Sequence, residues 1–161
     1  MVHERAYLAR HLRILSLDMM QAGADICRKV DADLEPSWAS LILHLEEAES
    51  VTAAGAATMM GVSHVHALKI LRAMKAKGAV SAAADPKDGR STIYRLTKKG
   101  RALVPIVNSL TAAAGSAVVD IESETGKSLF EAITAFRAAL ENKGWAERLA
   151  EKINSNEDLN K

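Results

Sequence analysis

GVSHVHALKILRAMKAKGAVSAAADPKDGRSTIYRLTKKGR, Gly61 to Arg101, is the stretch from which the rest of the chain can be read. Residues 62–101 hold ten basic side chains: Lys69, Arg72, Lys75, Lys77, Lys87, Arg90, Arg95, Lys98, Lys99 and Arg101. Against them stand two acids, Asp85 and Asp88, for a net charge of +8. The remaining residues carry eleven basic and eighteen acidic groups, a net −7, so the overall +1 conceals two regions of opposite sign. Basic charge this concentrated is the footprint of a surface that neutralises phosphates.

Local signals divide the stretch. Gly61, Val62 and Ser63 form a tight turn, with Ser63 a good N-cap for the helix that follows. In that helix Ala67, Ile70, Leu71 and Met74 fall on one apolar stripe. Gly78 ends it after Lys75 and Lys77, whose charge complements a helix C-terminus. Upstream, Thr52 reads as the N-cap of a short helix that buries Ala56, Ala57 and Met60. Two short helices joined by a glycine turn, the second basic outside its stripe, make a helix-turn-helix. Downstream, Ala79–Ala84 and Ser91–Leu96 are predicted strands. In the second, Ile93 and, less strictly, Arg95 alternate against Thr92 and Tyr94. Between the strands lies ADPKDGR, where Pro86 fixes φ and Asp88-Gly89 favours a hairpin reversal.

The flanks read as helices. From Ala6 to Val30, Leu8, Leu12, Leu15, Met19, Ala22, Ile26 and Val30 alternate spacings of four and three. They form a seam that packs either on the chain's own core or on a second subunit. Pro36 suits a first helical turn, and a helix from Ser37 to about Glu47 is predicted to bury Trp38, Leu41, Leu43 and Leu45. Thr97 is the N-cap of a long helix whose stripe continues to about Glu122, with Pro105 predicting a kink or a break. Gly126 ends it, and Ser128 with Glu131 forms a capping box for a helix carrying Leu129, Ile133, Phe136 and Leu140. Gly144 precedes a last short helix with Trp145, Leu149 and Ile153, and residues 156–161 read as a frayed tail.

Composition bounds the rest. The apolar half is rich in Ala, Leu and Met and holds two Trp, two Tyr and two Phe, which favours helices over strands. The single cysteine, Cys27, leaves no partner for an intrachain disulfide, so an oxidising compartment is not implied. No apolar run approaches the roughly 18 residues of a membrane span. The N-terminus lacks the apolar core and cleavage site of a signal peptide. The expectation is a soluble, cytoplasmic, mainly helical protein.

Gly61-Val62-Ser63, Lys77-Gly78 with Val80, Asp85-Pro86, Asp88, Arg90, Leu96-Thr97 and Gly100 carry a resemblance over about residues 37–101. On these residues the chain is similar to the winged helix-turn-helix of the MarR family of bacterial transcriptional regulators. The resemblance implies a mainly α fold with a small β-hairpin wing: a winged helix-turn-helix plus helical dimerisation arms. It assigns residues 1–34 and 102–155 to dimerisation and 35–101 to DNA binding. It also implies a homodimer on a pseudo-palindromic double-stranded operator, with recognition helix 63–77 in the major groove and wing 84–91 in the minor groove. Repression released by a small-molecule effector, bound between the DNA-binding lobe and the dimerising helices, belongs to the same implication. The sequence departs from the family pattern at Gly89, usually the first of two arginines, at Arg72, commonly an aspartate, and at Leu68, more often Ser or Thr.

With its apolar stripe buried, the recognition helix presents His64, Val65, Leu68 and Lys69 to base edges. Lys69 can donate to guanine, and Val65 or Leu68 can meet a thymine methyl. Ser63, Arg72, Lys75 and Arg95 suit phosphates, which position without specifying. Lys87 and Arg90 belong to the wing, Arg90 reaching either a narrow minor groove or a phosphate. A merely solvated helix face is the plainer alternative, and the clustering of charge speaks against it.

Five histidines form no ligand set, since His64 and His66 are two apart and point to different sides of a helix. No metal, cofactor or membrane partner is expected. No paired acids, nucleophile–base set or phosphate loop appears, so no enzyme is expected. Trp38, His11 and Met19 are candidate liners of an effector cleft, though no effector residue follows from sequence. Two other readings stand beside the regulator: a non-specific architectural DNA binder, and a redox sensor acting through Cys27, whose neighbours Arg28 and Lys29 would favour the thiolate; a free core cysteine is the plainer reading of that residue.

Overall fold

The structure is a computed structural model that describes residues 2–30, 34–86 and 88–157. It has two compact units, Met1–Ala112 and Ala113–Lys161, with the division falling inside one long helix.

In the first unit, α1 (Val2–Arg5) leads to α2 (Leu8–Val30). A 3-10 turn (Pro36–Trp38) then opens α3 (Ala39–Ala48), with Pro36 where its missing N–H costs nothing. Trp38, Leu41, Ile42 and Leu45 are buried, whereas Leu43 is only half-buried, so Ile42 takes the place expected of Leu43. The face turns at the junction because three residues wind as 3-10 before the α period begins.

A two-residue strand, β1 (Val51–Thr52), precedes α4 (Ala53–Met60), where the sequence reading runs straight into a helix. Two residues are too few to show a period of two. Thr52 still serves as the cap, its Oγ1 accepting from the Gly55 N–H at 3.1 Å. Gly61, at φ 64°, lets the chain leave α4 towards α5 (His64–Ala76).

β2 (Val80–Ala84) and β3 (Thr92–Leu96) pair antiparallel in the register Val80↔Leu96 to Ala84↔Thr92, and β1 pairs with the other edge of β3. β3 is thus central, with a strand paired on each edge. Tyr94 and Leu96 join the core and Ile93 is buried outside it, while Thr92 and Arg95 are exposed.

α6 (Lys98–Thr125) runs through Pro105 without the break that proline predicts. Pro105 is exposed, while Leu103, Val104 and Val107 on either side of it are anchored in the core. By length and composition α6 would also pass for a membrane span, contrary to the sequence expectation. Its first half nevertheless packs Leu103, Val104 and Val107 against α3, α5 and sheet residues in one apolar cluster.

The second unit holds the end of α6, α7 (Leu129–Asn142) and α8 (Trp145–Glu157). Gly126, at φ 65°, ends α6 as expected. The Ser128 Oγ caps α7 by accepting from the Glu131 N–H at 3.1 Å and itself donates to Glu122. Arg148 donates to the carbonyls of Lys143 and Ala139, tying α8 to the end of α7. α8 extends through Glu157, so residues 156 and 157 are helical where a frayed tail was expected, and residues 158–161 lie outside the described residues.

All buried apolar residues among those described fall between Cys27 and Val107. The seam of α2 is left uncovered: Leu8, Leu12, Leu15, Met19, Ile26 and Val30 are each about 40–55% exposed, and only Cys27 of that helix is buried. The expectation that the seam packs on the chain's own core therefore fails. Leu129, Ile133, Phe136, Trp145, Leu149 and Ile153 of the second unit are likewise exposed.

Candidate nucleic-acid interface

α5 is set by its cap and its stripe. The Ser63 Oγ accepts from the His66 N–H at 3.2 Å, and Ala67, Ile70, Leu71 and Met74 are buried. That rotation leaves Ser63, His64, Val65, His66, Lys69, Arg72 and Lys75 exposed and Leu68 half-buried. Val65 is 77% exposed, an apolar side chain turned outward from a helix whose opposite face is core.

The far end of α5 is locked to the start of α6. Gly78 adopts φ 74°, and the Thr97 Oγ1 donates to its carbonyl at 2.6 Å. The same Oγ1 accepts from the Gly100 N–H at 3.1 Å, capping α6, while the Thr97 N–H donates to the Ala79 carbonyl at 3.0 Å. A Cβ on Gly100 would lie 2.0 Å from the Ala79 oxygen, so the close approach needs glycine. This accounts for the spacing of Thr97 and Gly100 noted in the sequence.

The wing closes through backbone bonds from the Asp85 N–H to the Ser91 carbonyl (2.9 Å) and from the Ser91 N–H to the Asp88 carbonyl (2.8 Å). The Asp88 carboxylate accepts from the Arg90 N–H at 3.1 Å, the local bond that makes aspartate a turn residue. Arg90 is exposed on this return, and Arg95 is exposed on β3 opposite Ser81. Lys87 lies outside the described residues.

Four of the expected residues come together in a way the sequence reading missed. A cleft of about 350 Å³ separates α5 from the base of the wing, lined by His64, Leu68 and Arg72 on one side and Arg90 and Thr92 on the other. The signal lay in spacing, because His64, Leu68 and Arg72 recur every four residues and so share a row on α5. Val65 and Lys69 form the adjoining row. The outward residues thus divide into a row facing the wing and a row facing away from it.

Of the residues named for an effector cleft, Trp38 is buried in the core and contributes no open wall, while His11 and Met19 are exposed on α2. Among the described residues no group of three His, Cys, Asp or Glu is placed to hold a metal. Cys27 is buried, and desolvation, followed by the negative charge of Glu35, pushes its thiol pKa up. Arg28 is instead ion-paired to Asp25 on α2. The expected thiolate-favouring effect of Arg28 and Lys29 is therefore outweighed.

A capped, basic second helix, a glycine turn before it and a hairpin beside it define a winged-helix protein of the DNA-binding transcriptional-regulator type. A family model described as HxlR-like helix-turn-helix matches residues 34–122, and the chain belongs to that family. No protein of curated function matches the sequence.

Among solved structures, the transcriptional regulator BldR from Sulfolobus solfataricus superposes with a TM-score of 0.69 at 19% identity, covering 88% of this chain and 97% of that one. The S. aureus MepR–DNA complex gives 0.69 at 19% identity, over 83% and 97%. A cysteine-to-serine mutant of MarR from E. coli, complexed with operator DNA, gives 0.65 at 16% identity, over 89% and 98%. At these identities the likeness is one of fold, and it is the winged helix that the resemblance to MarR regulators implied.

Proposed function

We propose that the chain acts as a homodimer that binds a pseudo-palindromic operator and represses transcription until a small molecule releases it. Residues 1–34 and 102–155 would supply the dimerisation region, and residues 35–101 the DNA-binding domain, working in the cytoplasm where the chromosome lies. The observation that carries this reading is the division of α5 into a buried stripe and an outward row of Val65 and Lys69, flanked by His64 and Leu68. Val65 and Lys69 read base edges in the major groove. Ser63, Arg72, Lys75 and Arg95 hold phosphates, and the wing, residues 84–91 with Lys87 and Arg90, lies along the adjacent minor groove.

The uncovered seam of α2 supports the dimer. Covering what remains exposed of its six large side chains contributes on the order of 1 kcal/mol each. A two-fold dimer places its recognition helices about 34 Å apart, one turn of DNA, and a ligand that alters this spacing weakens both contacts together. The matched MarR and MepR structures are complexes with DNA, which supports the same partner here.

Selection from a random-sequence duplex pool tests the proposal. The expected result is an inverted repeat whose half-sites are centred about 10 base pairs apart. Recovery of unrelated sequences with no common repeat would replace it with architectural, sequence-independent binding.

A further inference from the structure

The cleft between α5 and the base of the wing is lined by two arginines and no acidic residue. Arg72 stands on the helix side and Arg90 on the wing side. Both are exposed, and neither is ion-paired to an acid among the described residues. Two cations sharing a cleft repel, and solvent and salt screen that repulsion without changing its sign. The other walls add hydrogen-bond donors: the hydroxyls of Ser91 and Thr92, the imidazole of His64, and the N-terminal end of α4, where the helix dipole is positive. The arginines and the helix end favour an oxyanion, and the hydroxyls and imidazole can donate to it. A guanidinium offers its N–H groups as a planar fork that matches phosphate oxygens two at a time, so two forks in one cleft can hold a single phosphate.

We propose, resting on the DNA-binding reading above, that this cleft seats one backbone phosphate of the bound duplex, gripped by Arg72 from the recognition helix and by Arg90 from the wing. The phosphate then links wing to helix. Arg90 serves the backbone instead of the floor of the minor groove, and Arg72 is a wing-positioning residue as well as a phosphate contact. Off DNA the like charges hold the two elements apart, and the anion brings them together.

The test uses the duplex that the chain selects from a random pool. Affinity is measured by fluorescence anisotropy over a series of KCl concentrations, for the full chain and for Arg72→Gln, Arg90→Gln and the double variant. Circular dichroism checks that each variant is folded. Each single variant is expected to lose about tenfold in affinity, the weight of one charge-assisted contact. The double variant is expected to lose less than the product of the two single losses, because both contacts are to one phosphate. It should lower the salt slope by about 0.9, the signature of one phosphate, and each single variant, whose remaining arginine still pairs with that phosphate, should lower it by less. Losses that multiply, with a slope lowered by about 1.8 in the double variant, mean two separate phosphates and overturn the proposal. Unchanged affinity in either single variant overturns it as well.

Replacing chloride by inorganic phosphate at constant ionic strength separates the sources of the anion. No release of duplex beyond the chloride control is expected. Release by phosphate from the wild-type chain but not from the double variant would make the occupant a free anion and overturn the assignment to DNA. If the wild-type chain binds no duplex at all, both this proposal and the DNA-binding reading fall. Binding with multiplied losses removes only the shared phosphate.

Discussion

At the scale of single residues, the fold depends on a contact that has no side chain. Gly100 lets α6 approach the Ala79 carbonyl so closely that any Cβ would overlap it. Gly100→Ala should therefore cost about 3 kcal/mol, the upper part of the range for overpacking, and urea denaturation will measure it. Thr97→Val removes the hydroxyl that bridges Gly78 and Gly100, and a loss of about 1–2 kcal/mol is expected by the same method. Cys27 supplies a pH test. Burial and Glu35 hold its thiol pKa above the ordinary value, so the native chain keeps this proton to higher pH than the unfolded one. The stability it contributes is full below the unfolded pKa of about 8.5 and is lost as pH rises through the folded value. Relative to Cys27→Ala, the chain should become less stable above that pH; a difference that stays constant would contradict the assignment. The thiol's burial agrees with the plainer reading of a free core cysteine; the charge of Glu35 beside it was not readable from sequence, because Arg28 and Lys29 adjoin it in the chain while Glu35 does not.

Among the elements, α5 was the most legible. Its cap, stripe and glycine stop are local features, and all three stand where the sequence put them. The wing was legible for a similar reason, since Asp88 and Pro86 act on their own turn. What sequence did not show depends on neighbours distant in the chain. β1 exists because β3 has an edge to pair with, and Tyr94 faces the core because sheet and helices close around it. Pro105 promised a break that packing of Leu103, Val104 and Val107 prevents. The proposed division of α5 between base-reading and phosphate-holding residues predicts that substitutions differ in effect. Lys69→Ala is expected to relax preference at one base pair by about 1–3 kcal/mol, read from competition among single-base variants of the selected duplex. Lys75→Ala should instead weaken all of them alike and lower the salt slope by about 0.9. Equal effects from the two would remove the distinction between reading and positioning.

Over the whole molecule, charge and apolar surface are segregated. A region of +8 lies in residues 62–101, and the remainder is acidic. Apolar side chains that the core between Cys27 and Val107 does not cover lie along α2, α7 and α8. One chain leaves these seams in water, and a second copy would cover them. Leu12→Asp on α2 should raise the dimer dissociation constant on the order of a hundredfold, seen by sedimentation. Far-UV circular dichroism should stay close to that of the parent chain, because Leu12 is outside the core. The central claim is that this surface reads sequence and does not merely neutralise phosphates. Equilibrium competition at physiological salt, with the selected duplex labelled and random duplex as competitor, tests it most directly. The account predicts a preference of at least about 1,000-fold for the selected site; random duplex that competes equally well would contradict it.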